Sequence, residues 1–262
     1  MNRREFLKSA ALVAAAASLP SLVRSQSAHE APDEKARSNA PAIALLVYPE
    51  FTALDLIGPY QFLCALTDHR VLLVSKRKGV ITSDTGVGIR TDTSFRDCPK
   101  DLAAILVPGG TVGTLNAMKD KATLDFVRDR GSRAKYVTSV CTGSLVLAAA
   151  GLLDGKRATG HWLVRDLLKR FGAEPVDERV VKDGNRITGA GVSAGLDLGL
   201  ALVNEIAGEE YARQCQLWFE YDPQPMFDSG SPAKSKKEDV AMLSAMATEF
   251  RLGIQDFAKK QK

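Results

Sequence analysis

Apolar runs rich in β-branched residues alternate with stretches of helical spacing along the chain, and this alternation limits the fold more than any other feature. "AIALLVY" is continuous enough to be a strand buried on both faces, and "LDLIGPYQFLCALT" behind it has the spacing of a helix. The order continues with "RVLLVS" and "LAAILVP" as strands, "KATLDFVRDRG" as a helix, "KYVTSV" as a strand, and "GSLVLAAAGLL" and "HWLVRDLLKRFG" as helices. "RVVKDGNRIT" reads as a hairpin and "AGLDLGLALVNEIAG" as a further helix. Strands and helices in this order predict an α/β fold with a mostly parallel sheet covered on both sides. The chain has 262 residues, 45% of them hydrophobic, enough to bury a full core.

The first residues read as an address. "RREFLK" sets paired arginines before a mild, Ala-rich apolar run that is short for a membrane span, the pattern of a twin-arginine export signal. The alternative is a basic amphipathic helix that stays attached. Small residues in "SQSA" allow cleavage near Ser27, which divides the chain into a signal (1–27), a polar linker (28–40), a main domain (41–232) and a helical tail (233–262). The tail reads as one amphipathic helix from about Lys236 to Lys259, beyond the Pro-rich "YDPQPMFDSGSP". Export implies the periplasm, with no stable membrane anchor after cleavage. The net charge of +4 includes an excess of +3 in residues 1–27 (four basic residues, one acidic), so the remainder carries +1 and makes no case for nucleic acid.

Cys64, Cys98, Cys141 and Cys215 are widely spaced, with no C-x-x-C pair and no histidine cluster, so neither a zinc site nor a thioredoxin motif is encoded. Cys141 stands apart because "TSVCTGSL" has the layout of strand, sharp turn and helix, the form of a nucleophile elbow at the carboxyl edge of a parallel sheet. A helix N-terminus there lowers a thiol's pKa. A buried packing cysteine fits the same spacing. "LVPGGT" also follows a strand, and Gly109 and Gly110 offer N–H groups for an anion or oxyanion, although such a turn is often only a turn. Asp55 in "TALDLIGPY" begins a helix after the first strand, where an aspartate is commonly a cap.

Taken together, "DLIGP", "PGG" and "VCTGS" resemble the ThiJ/PfpI group of the class I glutamine-amidotransferase-like superfamily. "CTGSLVLAAAGLLDGKRATGHW", "VSAGLDLGLALV" and "EYDPQPMFDSGSP" resemble its isonitrile hydratase branch, over about Ala42 to Pro232. The resemblance implies a flavodoxin-like three-layer sandwich, a homodimer, a cysteine in a strained backbone conformation, a small-molecule substrate, and neither cofactor nor metal. It implies Cys141 as nucleophile, Asp55 as acid/base, Thr142 as a polar neighbour in catalysis, and Gly109, Gly110 and His161 as groups around the substrate. The branch often has a second threonine where this chain has Gly160.

The same motifs exclude neighbouring activities. Peptidase relatives place a histidine directly after the cysteine, a position held here by Thr142, and glutaminase relatives need a late His-x-Glu that His29, His69 and His161 do not supply. Regulators with this domain add a DNA-binding module of about a hundred residues, for which the tail is too short. The glycines of "ITGAGVSAG" miss the dinucleotide spacing and read as close backbone packing. The expected reaction is hydration of an isonitrile to an N-substituted formamide. The competing readings are a glyoxalase-like thiol enzyme acting on reactive carbonyls and a non-catalytic thiol redox sensor.

Overall fold

Seven strands form the central sheet of the computed structural model, which describes residues 39–261. Along the chain the elements are β1 (Ala42–Leu46), α1 (Ala53–Leu63), β2 (Arg70–Ser75), β3 (Gly79–Thr82), β4 (Gly88–Thr91), β5 (Thr93–Ser94) and β6 (Ala104–Val107). Next come α2 (Val112–Lys119), α3 (Lys121–Arg133), β7 (Tyr136–Val140), α4 (Gly143–Ala149), β8 (Arg157–Ala158), a 3₁₀ segment (Arg165–Phe171) and β9 (Glu174–Pro175). The hairpin β10 (Val180–Asp183) and β11 (Arg186–Gly189) leads to α5 (Ala194–Ala207), α6 (Glu209–Trp218), α7 (Lys237–Met246) and α8 (Thr248–Lys260).

The sheet order is β10-β11-β7-β6-β1-β2-β5, and every pairing is parallel except β10 with β11. β1 and β6 are buried at every position, as their unbroken apolar runs require of strands covered on both faces. From β1 the chain crosses to β2, whereas from β6 it crosses the other way to β7. With right-handed crossovers this places α1 and α5 on one face and α2, α3 and α4 on the other. The close approach of α5 to α1 depends on Gly199, where a Cβ would stand 2.8 Å from the Cα of Pro59. The reversal between β1 and β6 is a topological switch point, and it opens a crevice at the carboxyl ends of β1, β6 and β7. This is the flavodoxin-like α/β arrangement expected from the sequence.

Several elements differ from the sequence reading. The helix after Cys141 stops at Ala149 because Gly151 turns left-handed (φ 78°), a common helix stop. The segment 161–172 begins in turns and becomes 3₁₀ only from Arg165, ending at left-handed Gly172. The tail is two helices that break at Ala247, and α7 buries no residue, so nothing in the core holds the two in line. α8 carries Arg251, which pairs with Asp166 through both guanidinium ends (2.8 and 2.7 Å) and ties the tail to the 3₁₀ segment. The export signal and most of the linker lie outside the described residues.

Candidate active site

Strand β7 delivers the chain to Cys141, whose φ of 60° lies in the left-handed region. Such a conformation costs a non-glycine residue about 1–3 kcal/mol, so the surroundings must enforce it. They do so through the Cys141 N–H, which donates to the carbonyls of Gly189 (3.1 Å) and Ala190 (2.8 Å), and through Ser144 Oγ, which donates to the Cys141 carbonyl (3.1 Å). Gly143 seats the elbow on the end of β6, because a Cβ there would stand 2.2 Å from the Val107 carbonyl oxygen. The residue is 4% exposed, and the N–H groups of Val192 and Thr142 point at its sulfur.

Asp55 sits in the first turn of α1 with no exposed surface. Its Oδ2 accepts the Gly109 N–H at 2.8 Å, Oδ1 has no N–H or O–H partner, and the carboxyl lies beside the Cys141 thiol. Asp55 is thus a group turned inward to the elbow and not a helix cap. Burial pushes its carboxyl up to about 7, against the Gly109 hydrogen bond and the Cys141 contact, and the charge of Asp84 adds to the rise. Burial raises the Cys141 thiol as well, and the Asp55 carboxylate adds to that, with the Val192 and Thr142 N–H groups acting in the opposite direction. The expectation of a thiol made acidic by the helix N-terminus is therefore corrected: α4 is a seven-residue helix, and desolvation outweighs its N–H groups. The raised carboxyl and the raised thiol are thus a coupled pair.

The Gly109–Gly110 turn has a different part from the one its glycines suggest. Both N–H groups are committed, Gly109 to Asp55 and Gly110 to Thr142 Oγ1 (2.9 Å), so neither is free to meet an oxyanion. What the turn needs is space, since a Cβ on Gly109 would lie 2.6 Å from Asp55 Oδ2 and 2.7 Å from Thr142 Oγ1. Thr142 is equally occupied. Its hydroxyl donates to the Gly110 carbonyl at 2.7 Å and lies 2.7 Å from Thr114 Oγ1, while Tyr48 Oη donates to the Pro108 carbonyl (2.7 Å) and approaches Thr114 (3.1 Å). The sequence reading missed Tyr48, Thr114 and Val192, and only Tyr48 left a sign, as a polar ring ending the apolar run of β1.

Residues 41–205 match the DJ-1/PfpI family. The chain belongs to that family. It is 53% identical over 191 residues to an isonitrile hydratase from Pseudomonas putida, covering 72% of this chain and 82% of that protein. It is 33% identical over 147 residues to the deglycase PfpI of Pyrococcus furiosus, 56% of this chain and 87% of that one. A solved ThiJ/PfpI family structure from Pseudomonas syringae superposes with a TM-score of 0.82 at 45% identity, over 88% of this chain and 98% of that chain. Residues 1–20 match the twin-arginine translocation signal sequence, so the chain carries an export signal outside the described residues.

Within this DJ-1/PfpI domain, His161 borders the elbow from the remaining side. Its ring edge packs against Gly191, one residue before the Val192 N–H that faces the sulfur, and its other side stacks with Trp162 at 6.0 Å between centroids. Nδ1 faces the Leu163 N–H at 3.3 Å and accepts it, which leaves the proton on Nε2. Burial and Arg165 lower its pKa, so the ring is a neutral donor. Beyond Trp162 lies a cavity of about 460 Å³ between Leu163 and the tail residues Arg251 and Leu252. At Gly160 a Cβ would meet Ser144 Oγ at 2.4 Å and the Cys141 carbonyl oxygen at 2.9 Å, so a threonine there requires Ser144 to move. The four cysteines are free thiols, and the described residues hold no cluster of three or more His, Cys, Asp or Glu suited to a metal.

Proposed function

We propose that the mature protein hydrates isonitriles to N-substituted formamides, with Cys141 as nucleophile and Asp55 as the proton carrier. The observation that carries this reading is the pairing of the buried Asp55 carboxyl, whose Oδ1 accepts no N–H or O–H, with a cysteine held at a strained elbow. The 53% identity to the Pseudomonas putida isonitrile hydratase supports it. In the first step the Cys141 sulfur bonds to the terminal carbon of R–NC while the pair's proton moves to that same carbon, through Asp55, giving R–N=CH–S–Cys141. In the second step the Asp55 carboxylate takes a proton from water, whose oxygen adds to that carbon. The nitrogen is protonated, the C–S bond breaks, and R–NH–CHO leaves with the thiol restored. The sum is one isonitrile plus one water.

With Gly109 and Gly110 committed, the groups left to meet the reacting atoms are the Thr142 and Val192 N–H groups and the neutral His161. Thr142 acts mainly by fixing the turn. The signal sequence supports export, and we place the mature protein in the periplasm as a homodimer acting on a small molecule, with no nucleic-acid partner. No described helix is long and apolar enough to cross a membrane.

A second reading, action on reactive carbonyls, draws support from the match to the deglycase PfpI. A panel of alkyl and aryl isocyanides set against glyoxal, assayed with wild type and Cys141→Ala, separates the two. Formamide from isocyanides with little loss of glyoxal supports hydration. Cys141-dependent glyoxal consumption without formamide replaces it, and selective peroxide oxidation of Cys141 with neither turnover favours a sensor.

A further inference from the structure

The β3–β4 hairpin lies outside the main sheet, yet its tip is stitched to the loop that leads into α1. The Glu50 N–H donates to the Thr82 carbonyl (2.9 Å), the Asp84 N–H donates to the Phe51 carbonyl (2.9 Å), and Thr52 Oγ1 donates to Asp84 Oδ2 (2.7 Å). Thr52 is the N-cap of α1, a position where a threonine oxygen normally accepts an N–H of the first turn. Here that cap bond is not made, and the hydroxyl is turned to Asp84. The Thr52 N–H meanwhile donates to the Gly109 carbonyl (2.8 Å), whose own residue's N–H is the donor on Asp55 Oδ2. A short chain of bonds therefore runs from Asp84 through Thr52 and Gly109 to Asp55.

We infer that Asp84 is a positioning residue for the Asp55–Cys141 pair, a fixed negative charge that the hairpin tip holds at the start of α1 to keep the pair's proton bound near neutral pH. The inference rests on the site reading above but not on the substrate. Asp84 is exposed at the N-terminus of a helix, and it has no ion-pair partner among the described residues. Three ionisable groups reach Asp55: Cys141 from the elbow, Asp84 from the hairpin, and Tyr48 from the end of β1. The Tyr48 phenol is pushed up by burial and stays neutral, so Asp84 is the only fixed charge among them.

The test follows the rate of Cys141 alkylation by iodoacetamide against pH, read by mass spectrometry, which needs no substrate. Asp84→Asn keeps an oxygen to accept the Thr52 hydroxyl and removes only the charge. Its alkylation onset should move down by about half a pH unit, roughly a threefold change in the apparent ionisation constant, at low ionic strength. The difference should shrink at about 1 M salt, where the screening length falls to about 3 Å, and the wild-type onset itself should drift down with salt. Asp84→Glu should return the onset towards wild type. Coincident profiles for wild type and Asp84→Asn at low salt would overturn the inference. So would a salt-independent loss of rate at every pH together with a lower Tm, which describes a helix cap and nothing more. If Cys141-dependent turnover survives either result, the site reading stands and only Asp84 loses its part.

Discussion

The Asp55 carboxyl and the Cys141 thiol face each other where neither meets bulk water, one at the start of the helix after β1 and the other at the turn after β7. Desolvation raises both groups, so each supplies the conditions under which the other exchanges a proton.

Cys141 reactivity should therefore follow the pair and not the helix. In wild type the alkylation rate is expected to rise only above neutral pH, because burial and the Asp55 carboxylate both hold the proton on sulfur. Asp55→Asn should move the onset downward by about one pH unit, because it removes the carboxylate charge that adds to burial in holding the proton on sulfur. An onset well below neutral that Asp55→Asn leaves in place would restore the autonomous low-pKa thiolate.

Stability should respond to the same burial. Asp55 has a folded pKa near 7 against an ordinary 3.8, so its contribution is full below about pH 4 and is lost as pH rises to about 7. Asparagine retains an acceptor for the Gly109 N–H and carries no charge to desolvate. Denaturant melts should show Asp55→Asn gaining on wild type between about pH 4 and pH 8, by on the order of 3 kcal/mol. A constant difference across that range would mean that the carboxyl is well solvated.

Thr142→Val should damage the turn before it damages the chemistry. Removing the hydroxyl leaves the Gly110 N–H and carbonyl and Thr114 Oγ1 without a shared partner in a buried site, at a cost of about 1–3 kcal/mol. Thermal melts should fall and turnover should drop about tenfold or more, with Thr142→Ser recovering both. Lost turnover with an unchanged melt would instead put the hydroxyl on the substrate.

The parallel sheet and the elbow were legible because β1 and β6 are unbroken apolar runs and because "VCTGS" ends the buried, β-branched run of β7. The β3–β4 hairpin was not, since its four-residue strands are mostly exposed and carry no clean alternation. α2 and α6 were also missed, one of eight residues directly behind the glycine turn and the other with only two buried positions. The site was readable as a set of residue types, but the direction of each donor was not. The Gly110 N–H is turned by a threonine 32 positions away, and Asp84 reaches the site from an element the pattern did not reveal.

The most direct test of the central claim is the rate of formamide formation from a simple alkyl isocyanide by the mature protein, followed by the formyl proton signal. Wild type should produce N-alkyl formamide, Cys141→Ala should produce none above the uncatalysed rate, and Asp55→Asn should be slower by about a hundredfold or more. Formamide formation that survives Cys141→Ala, or a wild-type protein that makes none from any isocyanide, would contradict the account.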